Sequence, residues 1–326
     1  MHLVCLGIMK KLLVLWQRPK MNHSLPAFKI DAMSDKLLKM KKFTPSEFCR
    51  KPKSLKYYTK WKATEYRQFL LYTGYFVMKD VVHKSVLSNF VSLLCAIRLL
   101  CKGDDLDYAH KLLEHFVLTF KILYFKENMS FNVHSLLHLT DDVKEHGTLD
   151  TMSAFKFENY LFKLKQLVSK TNLPLQQIHN RYKEGAEDCF WEAKSDGILE
   201  SSQHKNGPLP AMLSPDIPQY TRAYVKNALL NTRGIGNKCF LLKNNTAIMI
   251  ENIFTVNNSA KIYGKCYKSL ENVFEEPMES GDIGIYLLKN KTSHNEIHDL
   301  SSVKTKLYIL PYPTQNELAA VEIMHI

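Results

Sequence analysis

The sequence contains no two cysteines at Cys-x2-Cys spacing, although it has seven cysteines in 326 residues. Cysteine pairs at that spacing are typical of zinc sites, and an even, regular set would predict a disulfide framework. Here the number is odd and the positions are scattered, at residues 5, 49, 95, 101, 189, 239 and 266. This pattern favours a reducing compartment, which is the cytosol or the nucleus.

Long apolar runs are also missing. Lys10 and Lys11 separate the apolar stretch LVCLGIM from LLVLW, which excludes a signal-peptide core and a membrane-spanning helix there. We interpret this N-terminal segment as an amphipathic helix packed on the core. No other uninterrupted apolar run approaches membrane length, so we predict no membrane partner.

Acidic residues are scarce in one basic segment, Lys36–Arg67. It holds 11 Lys and Arg residues against Glu47 and Glu65, in a chain whose net charge is +12. A basic patch of this kind is an electrostatic footprint for the phosphates of nucleic acid, and a solvated loop with no special role is the alternative. The candidate DNA contacts in this segment are Lys39, Lys41, Lys42, Arg50, Lys51, Lys53 and Lys56.

The hydrophobic periodicity changes once along the chain. Helical spacing dominates to about residue 194, most clearly in Lys84–Cys101 and Asp105–Tyr124. Residues 195–220 are rich in Ser, Gly, Pro and charge, which is typical of a linker. Alternating strand patterns then follow over residues 221–326. We therefore predict an α+β protein: a helical domain (1–194), a linker (195–220) and a small antiparallel, barrel-like β domain (221–326).

Two histidines and a glutamate stand out in the helical part. His134 and His138 are four residues apart, so on a helix their imidazoles lie on one face and can approach a single metal ion. Ordinary packing of both rings is the alternative. Glu158 lies near the start of a helix and offers the carboxylate oxygen that Mg²⁺ or Mn²⁺ prefers. The predicted buried stripe of that helix consists of Phe157, Tyr160, Leu161, Leu164, Leu167 and Val168.

Several motifs carry a family resemblance. NVHSLLHLTDDV, SAFKFENYLFKLKQLV and PLQQIHNRY, preceded in order by MHLVCLG, FTPSEFCRKPKSL and WKATEYRQFLLYTG, resemble the C-terminal part of CACTA-type DNA transposases from animal genomes. The resemblance covers roughly residues 1–182. It implies a DDE transposase with an RNase H-like core, of which these helices would be an insertion domain plus terminal helices.

The same resemblance implies roles for individual residues. His134 and His138 match the histidines of a zinc site that also uses a Cys-x2-Cys pair, and Glu158 matches the metal-binding glutamate that holds Mg²⁺ or Mn²⁺ with two aspartates. In the family those aspartates and cysteines lie upstream of the Met-His-Leu motif at which this chain begins. We therefore expect the C-terminal portion of a transposase, inactive by itself, with weak zinc binding at the histidines.

The resemblance implies DNA as the partner, and leaves open self-association or association with a longer transposase product. A non-enzymatic nuclear remnant that binds DNA or protein is the alternative function, in either a nuclear or a cytoplasmic location. A His-x3-His metal hydrolase ranks lower, because no glutamate lies between the histidines to act as a general base.

Overall fold

The structure is a computed structural model that describes residues 2–19, 21, 23–186, 196–312 and 317–324. A helical region precedes an antiparallel β region, which confirms the predicted α+β class. The helices are α1 (Lys10–Gln17), α2 (Ala27–Met40), α3 (Ala63–Gln68), α4 (Gly74–Met78), α5 (Lys84–Lys102), α6 (Leu106–Tyr124), α7 (Phe131–His134), α8 (Leu139–His146), α9 (Phe155–Gln166) and α10 (Pro174–Arg181).

The helical core is built on the hairpin of α5 and α6. Helix α5 ends at Gly103, whose φ of +78° provides the left-handed conformation that closes a helix. Asp105 begins α6 by accepting a hydrogen bond from the amide of Tyr108. Helix α5 is long and apolar enough to cross a membrane, but 78% of the relevant window is buried inside the protein. It is therefore placed as the central core helix of the region.

The strands are β1 (Gly197–Ile198), β2 (Gln203–His204), β3 (Gln219–Tyr220), β4 (Arg222–Val225), β5 (Ala228–Asn231), β6 (Cys239–Leu242), β7 (Ala247–Val256), β8 (Ser259–Asn272), β9 (Ile285–Asp299), β10 (Val303–Pro311) and β11 (Leu318–Glu322). The pairings β6–β7, β7–β8, β8–β9, β9–β11, β11–β10 and β10–β6 close a ring of six antiparallel strands. Closure pairs each strand of the ring on both sides, and β3 and β2 extend the sheet from β7. The segment predicted as a linker, 195–220, contains β1, β2 and β3, which pair with β4 and β7.

The two regions share one hydrophobic core. It runs from Trp16 and Leu94 of the helices to Leu241, Ile309 and neighbouring residues of the strands. A smaller cluster covers the other face of the sheet, where the β4–β5 hairpin packs on it. The helices and the strand ring are consequently packed against each other along a buried interface.

One expectation about α9 is wrong. Phe157 and Leu161 were predicted to be buried, yet their side chains are 69% and 62% exposed. No described element packs over these two residues, so their helical spacing does not correspond to a buried face. Leu175 on α10 is 81% exposed as well.

Candidate functional site: a cleft beside Glu158

A cleft of about 560 Å³ lies between the N-terminal helices and α9. Glu158 of α9 lines it, and so does Arg50 of the basic segment, although the sequence predicted these two residues for different roles. The other lining residues are His2, Leu6, Glu47, Phe48, Cys49, Lys62, Ala63, Thr64, Arg67, Gln68, Tyr72, Asp150, Ser153, Phe155 and Met324. The wall of the cleft therefore combines aromatic rings with groups of both charges.

The cleft contains a partly buried ion pair. One guanidinium nitrogen of Arg67 lies 2.6 and 2.8 Å from the two carboxylate oxygens of Asp150. Arg67 is only 7% exposed, so the pair fixes a charge that burial would otherwise penalise. Arg67 Nε and Gln68 Nε2 are buried and have no hydrogen-bond partner among the described residues. Both atoms are donors that solvent does not reach, although their residues line the cleft.

Glu158 contacts the other end of the helical region. Its carboxylate lies 3.1 Å from Nε2 of His2, and the two side chains are 53% and 41% exposed. The ring of His2 also packs against Phe155, with centroids 5.3 Å apart. Helix α9 begins after Ala154, which places Glu158 in its first turn, where the helix dipole favours a carboxylate.

The residues around Glu158 do not by themselves fit a two-metal centre. Such a centre needs several carboxylate oxygens around each ion. Asp150 is engaged by Arg67, and Glu47 is hydrogen-bonded to the buried Lys306 at 2.7 Å. No group of three ligating side chains that includes Glu158 occurs in the part of the chain that the structure describes. The Mg²⁺ or Mn²⁺ role of Glu158 therefore stays a prediction from the resemblance.

The histidine pair has the predicted separation on an interrupted helix. Helix α7 ends at His134, a 3₁₀ turn spans Ser135–His138, and α8 ends before Gly147. The two exposed imidazoles have ring centroids 5.4 Å apart, a separation that lets both reach one zinc ion with ordinary Zn–N bonds. Within the described residues no third cysteine, histidine or carboxylate joins them. The pair thus supplies two of the four ligands that a structural zinc site needs.

Helix α7 packs against the π-helical segment Leu3–Met9, where Gly7 approaches the side chain of Asn132. His2 immediately precedes that segment and contacts Glu158. Helix α7, which carries His134, and Glu158 therefore both contact the N-terminal segment 2–9, but they contact it at different residues.

All seven predicted DNA-contacting cations are exposed. Two of them are already paired: Lys53 lies 2.9 Å from Glu65, and Lys56 lies 2.7 Å from Asp31. No ion pair with a described carboxylate involves the other five, Lys39, Lys41, Lys42, Arg50 and Lys51. Arg67, at the end of the basic segment, is withdrawn from the surface by its pairing with Asp150.

Sequence reasoning missed the Arg67–Asp150 pair and the buried Glu47–Lys306 pair. Their partners are 83 and 259 residues apart, and no local pattern connects residues at such separations. It also missed a cluster on the β region, in which Cys266, Glu296 and His298 converge. Among the residues of these pairs and this cluster, only Glu47 stood out in the sequence, because it is one of two acidic residues in the basic segment Lys36–Arg67.

One protein family matches part of the chain. It is described as a domain of unknown function (DUF8592), and it matches residues 203–324, which form nearly all of the β region. Searches of curated proteins and of solved structures gave no match.

Proposed function

We propose that this chain is a transposase-derived, DNA-binding protein that corresponds to the C-terminal part of a DDE-type transposase. The observation that supports the proposal is the position of Arg50. This exposed cation, predicted to contact phosphates, lines the same cleft as Glu158, the residue that matches the metal-binding glutamate of the transposases. Phosphate-binding and metal-binding groups must lie close together in any enzyme that cuts a DNA backbone.

The charge distribution supports DNA as the partner. Five exposed cations without ion-pair partners would make roughly five phosphate contacts, for which log K falls with log salt at a slope of about −4.5. We place the protein in the nucleus or the cytoplasm, in keeping with its scattered, reduced cysteines.

Catalytic inactivity of this chain is part of the proposal. Glu158 is the one member of the transposase triad that the resemblance assigns here, and the nearby Asp150 and Glu47 are held by Arg67 and Lys306. Neither of those carboxylates is available to clamp a metal without breaking its ion pair. One carboxylate cannot hold the two-metal arrangement by which DDE enzymes act.

A second candidate, a non-enzymatic remnant that binds protein, is favoured by a different observation. Phe157 and Leu161 on α9 and Leu175 on α10 are large apolar side chains that are more than half exposed. Phe157 and Leu161 lie one helical turn apart on α9, and adjoining exposed apolar side chains mark interaction surfaces. A partner that covers α9 would be a longer transposase product, a second copy or an unrelated nuclear protein.

DNA binding is tested by charge reversal on the full chain. Lys39→Glu/Lys41→Glu/Lys51→Glu removes three unpaired cations, and fluorescence anisotropy with a random duplex should show at least tenfold weaker binding and a shallower salt slope. The matched control is Lys205→Glu/Lys243→Glu/Lys304→Glu, which reverses three exposed lysines of the β region. Equal losses of DNA affinity in both triple variants would show an effect of net charge alone. The basic segment Lys36–Arg67 would then not be the DNA-binding surface.

Inactivity is tested with Mg²⁺ or Mn²⁺ and a labelled duplex. We expect no cleavage or strand transfer. Cleavage that is lost in Glu158→Gln would show that the chain does assemble a metal centre and would contradict this part of the proposal.

A further inference from the structure

Three side chains that can ligate a metal meet on the β8–β9 ladder. Glu296 lies opposite Gly264 and His298 lies opposite Ile262, so both point to the sheet face that also carries Cys266. The ladder changes register between Lys265 and Tyr267, and the amide of Cys266 donates to Thr292 Oγ1 at 3.0 Å instead of to the backbone. This bulge takes Cys266 out of the regular pairing with β9.

The three ligating atoms converge on one point. Cys266 Sγ lies 3.5 Å from His298 Nε2, and Glu296 Oε2 lies 3.4 Å from the same nitrogen. All three atoms lie within 4.8 Å of one another. A zinc ion with bonds of about 2.0 to 2.3 Å fits between atoms at such separations.

A nucleophilic triad would look different. In a Cys-His-Glu triad the thiol contacts one imidazole nitrogen and the carboxylate orients the ring through the other nitrogen. Here both groups contact Nε2 of His298. Convergence of a thiol, a carboxylate and an imidazole nitrogen on a common point is the arrangement of a metal site.

We propose that Cys266, Glu296 and His298 bind a zinc ion. The mixed sulfur, nitrogen and oxygen donor set suits Zn²⁺, which accepts all three. On binding, Zn²⁺ forms a bond to Cys266 Sγ as the thiol S–H bond breaks, and the proton passes to solvent. Three protein ligands leave the fourth tetrahedral position to water or to an external ligand.

Access to the site is one-sided. Cys266 is fully buried in the smaller hydrophobic cluster, whereas the side chains of His298 and Glu296 are 19% and 22% exposed. The ion therefore reaches the thiol from the side of the histidine and the glutamate. Burial raises the pKa of the Cys266 thiol to about 12, so without a metal this thiol is protonated and unreactive.

Lys268 competes with the ion. Its ammonium lies 2.5 Å from Glu296 Oε2, and its side chain is 45% exposed. The lysine neutralises the carboxylate in the metal-free protein, and it must swing into solvent when a cation binds. Removing its charge with Lys268→Gln should therefore tighten metal binding by about two- to fivefold, since the competing, partly solvated ion pair is lost.

The test uses Co²⁺ as a spectroscopic substitute for zinc in the full chain. Titration should give a thiolate-to-cobalt charge-transfer band at one equivalent, displaced by Zn²⁺. The band should disappear in Cys266→Ser, weaken at least tenfold in affinity in His298→Ala and Glu296→Gln, and saturate at lower Co²⁺ in Lys268→Gln. Zinc addition in weak buffer should release about one proton per chain, from the thiol.

Two controls distinguish this site from others. Cys49→Ser removes an exposed thiol, and His134→Ala/His138→Ala removes the histidine pair, and both variants should keep the band. Circular dichroism identifies any variant that fails to fold. Lys268→Gln removes no ligand, so its tighter metal binding tests the site even if a ligand variant does not fold. A wild-type chain without the band, a band that survives in Cys266→Ser, or unchanged affinity in Lys268→Gln overturns the proposal.

Discussion

The helical region and the β region differ in their similarity to a known family, yet both pack around one hydrophobic core. The family match covers 203–324 and includes none of the helices α1 to α10. In the structure, however, the main hydrophobic core runs through both regions, and Tyr308 of β10 stacks near Phe48 and Tyr72 of the helical part. The comparison teaches that a boundary in sequence pattern need not be a boundary in packing.

Buried polar groups fix the two regions to each other. Arg98 of α5 is fully buried, and it donates to the carbonyl oxygens of Leu71, Ile283 and Glu322 at 2.7 to 3.2 Å. Two of these three acceptors belong to the β region. Because a buried guanidinium without acceptors is costly, these contacts specify how the strand ring sits on α5.

The largest predicted effect concerns Glu47. Its carboxylate lies 2.7 Å from Nζ of Lys306, which is fully buried on β10. Glu47→Ala leaves that ammonium without its counter-charge, so we expect a loss of about 3 to 5 kcal/mol in the free energy of unfolding. Urea denaturation followed by circular dichroism measures it.

The double variant Glu47→Leu/Lys306→Met is the control, because it replaces both charges by apolar groups. It should recover part of the stability, since both charges of the buried pair are removed together. Recovery is incomplete because the amide and carbonyl of Leu229 and Oδ1 of Asn237 each lose a hydrogen-bond partner. A single variant as stable as the wild type would show that Lys306 is neutral or solvated, contrary to its position in the structure. Burial lowers the pKa of the Lys306 ammonium, and Glu47 opposes that shift.

The next effect lies inside the helical region. Trp16 Nε1 donates to the hydroxyl of Tyr124 at 2.8 Å, and both side chains are buried. Tyr124→Phe leaves the indole N–H without an acceptor and should cost about 1 to 3 kcal/mol. If the regions unfold together, the loss in the free energy of unfolding should be equal at Cys95 in α5 and at Cys239 in β6, measured by pulsed thiol labelling in a background where Cys49→Ser removes an exposed thiol.

Different losses at the two thiols would mean that the regions unfold separately and that the shared core does not couple them. Leu113→Ile, a conservative change in the same helix, provides the comparison for effects of packing alone.

The prediction of fold from sequence succeeded where structure is local. Lys84–Lys102 and Leu106–Tyr124 were predicted within two residues, because their apolar spacing and their caps lie within one helix. The exposure of Phe157 was not predicted, since periodicity indicates which residues share a face but not whether another element covers it. The alternation in KIYGKCYK and IGIYLLK predicts strands that form parts of β8 and β9. His298 lies beyond the predicted stretch of β9, and no pattern in the sequence indicates that Cys266 contacts it.

A pH experiment compares buried with exposed thiols. Burial raises the pKa of Cys239 from 9.0 to about 12, so its proton stabilises the folded state below pH 9, and this contribution is lost as the pH rises toward 12. From pH 8 to pH 10 the thiol should account for a loss of about 1.4 kcal/mol. Cys239→Ala should therefore show a smaller alkaline loss than the wild type, whereas Cys49→Ser, at an exposed position, should show the wild-type loss. An equal loss in all three proteins would place the Cys239 thiol in contact with solvent.

The smallest effect is expected one residue away from the largest. Ser46 also contacts the β region: its amide and its hydroxyl donate to Asn237 Oδ1 at 2.9 and 3.1 Å, but the contact is exposed. Because water replaces the hydroxyl of an exposed donor, Ser46→Ala should cost only about 0.5 kcal/mol, against several for Glu47→Ala. Urea denaturation of the two variants under one set of conditions gives the difference. If Ser46→Ala cost as much as Glu47→Ala, the loop itself, and not the buried charge of Lys306, would hold the helices to the strand ring.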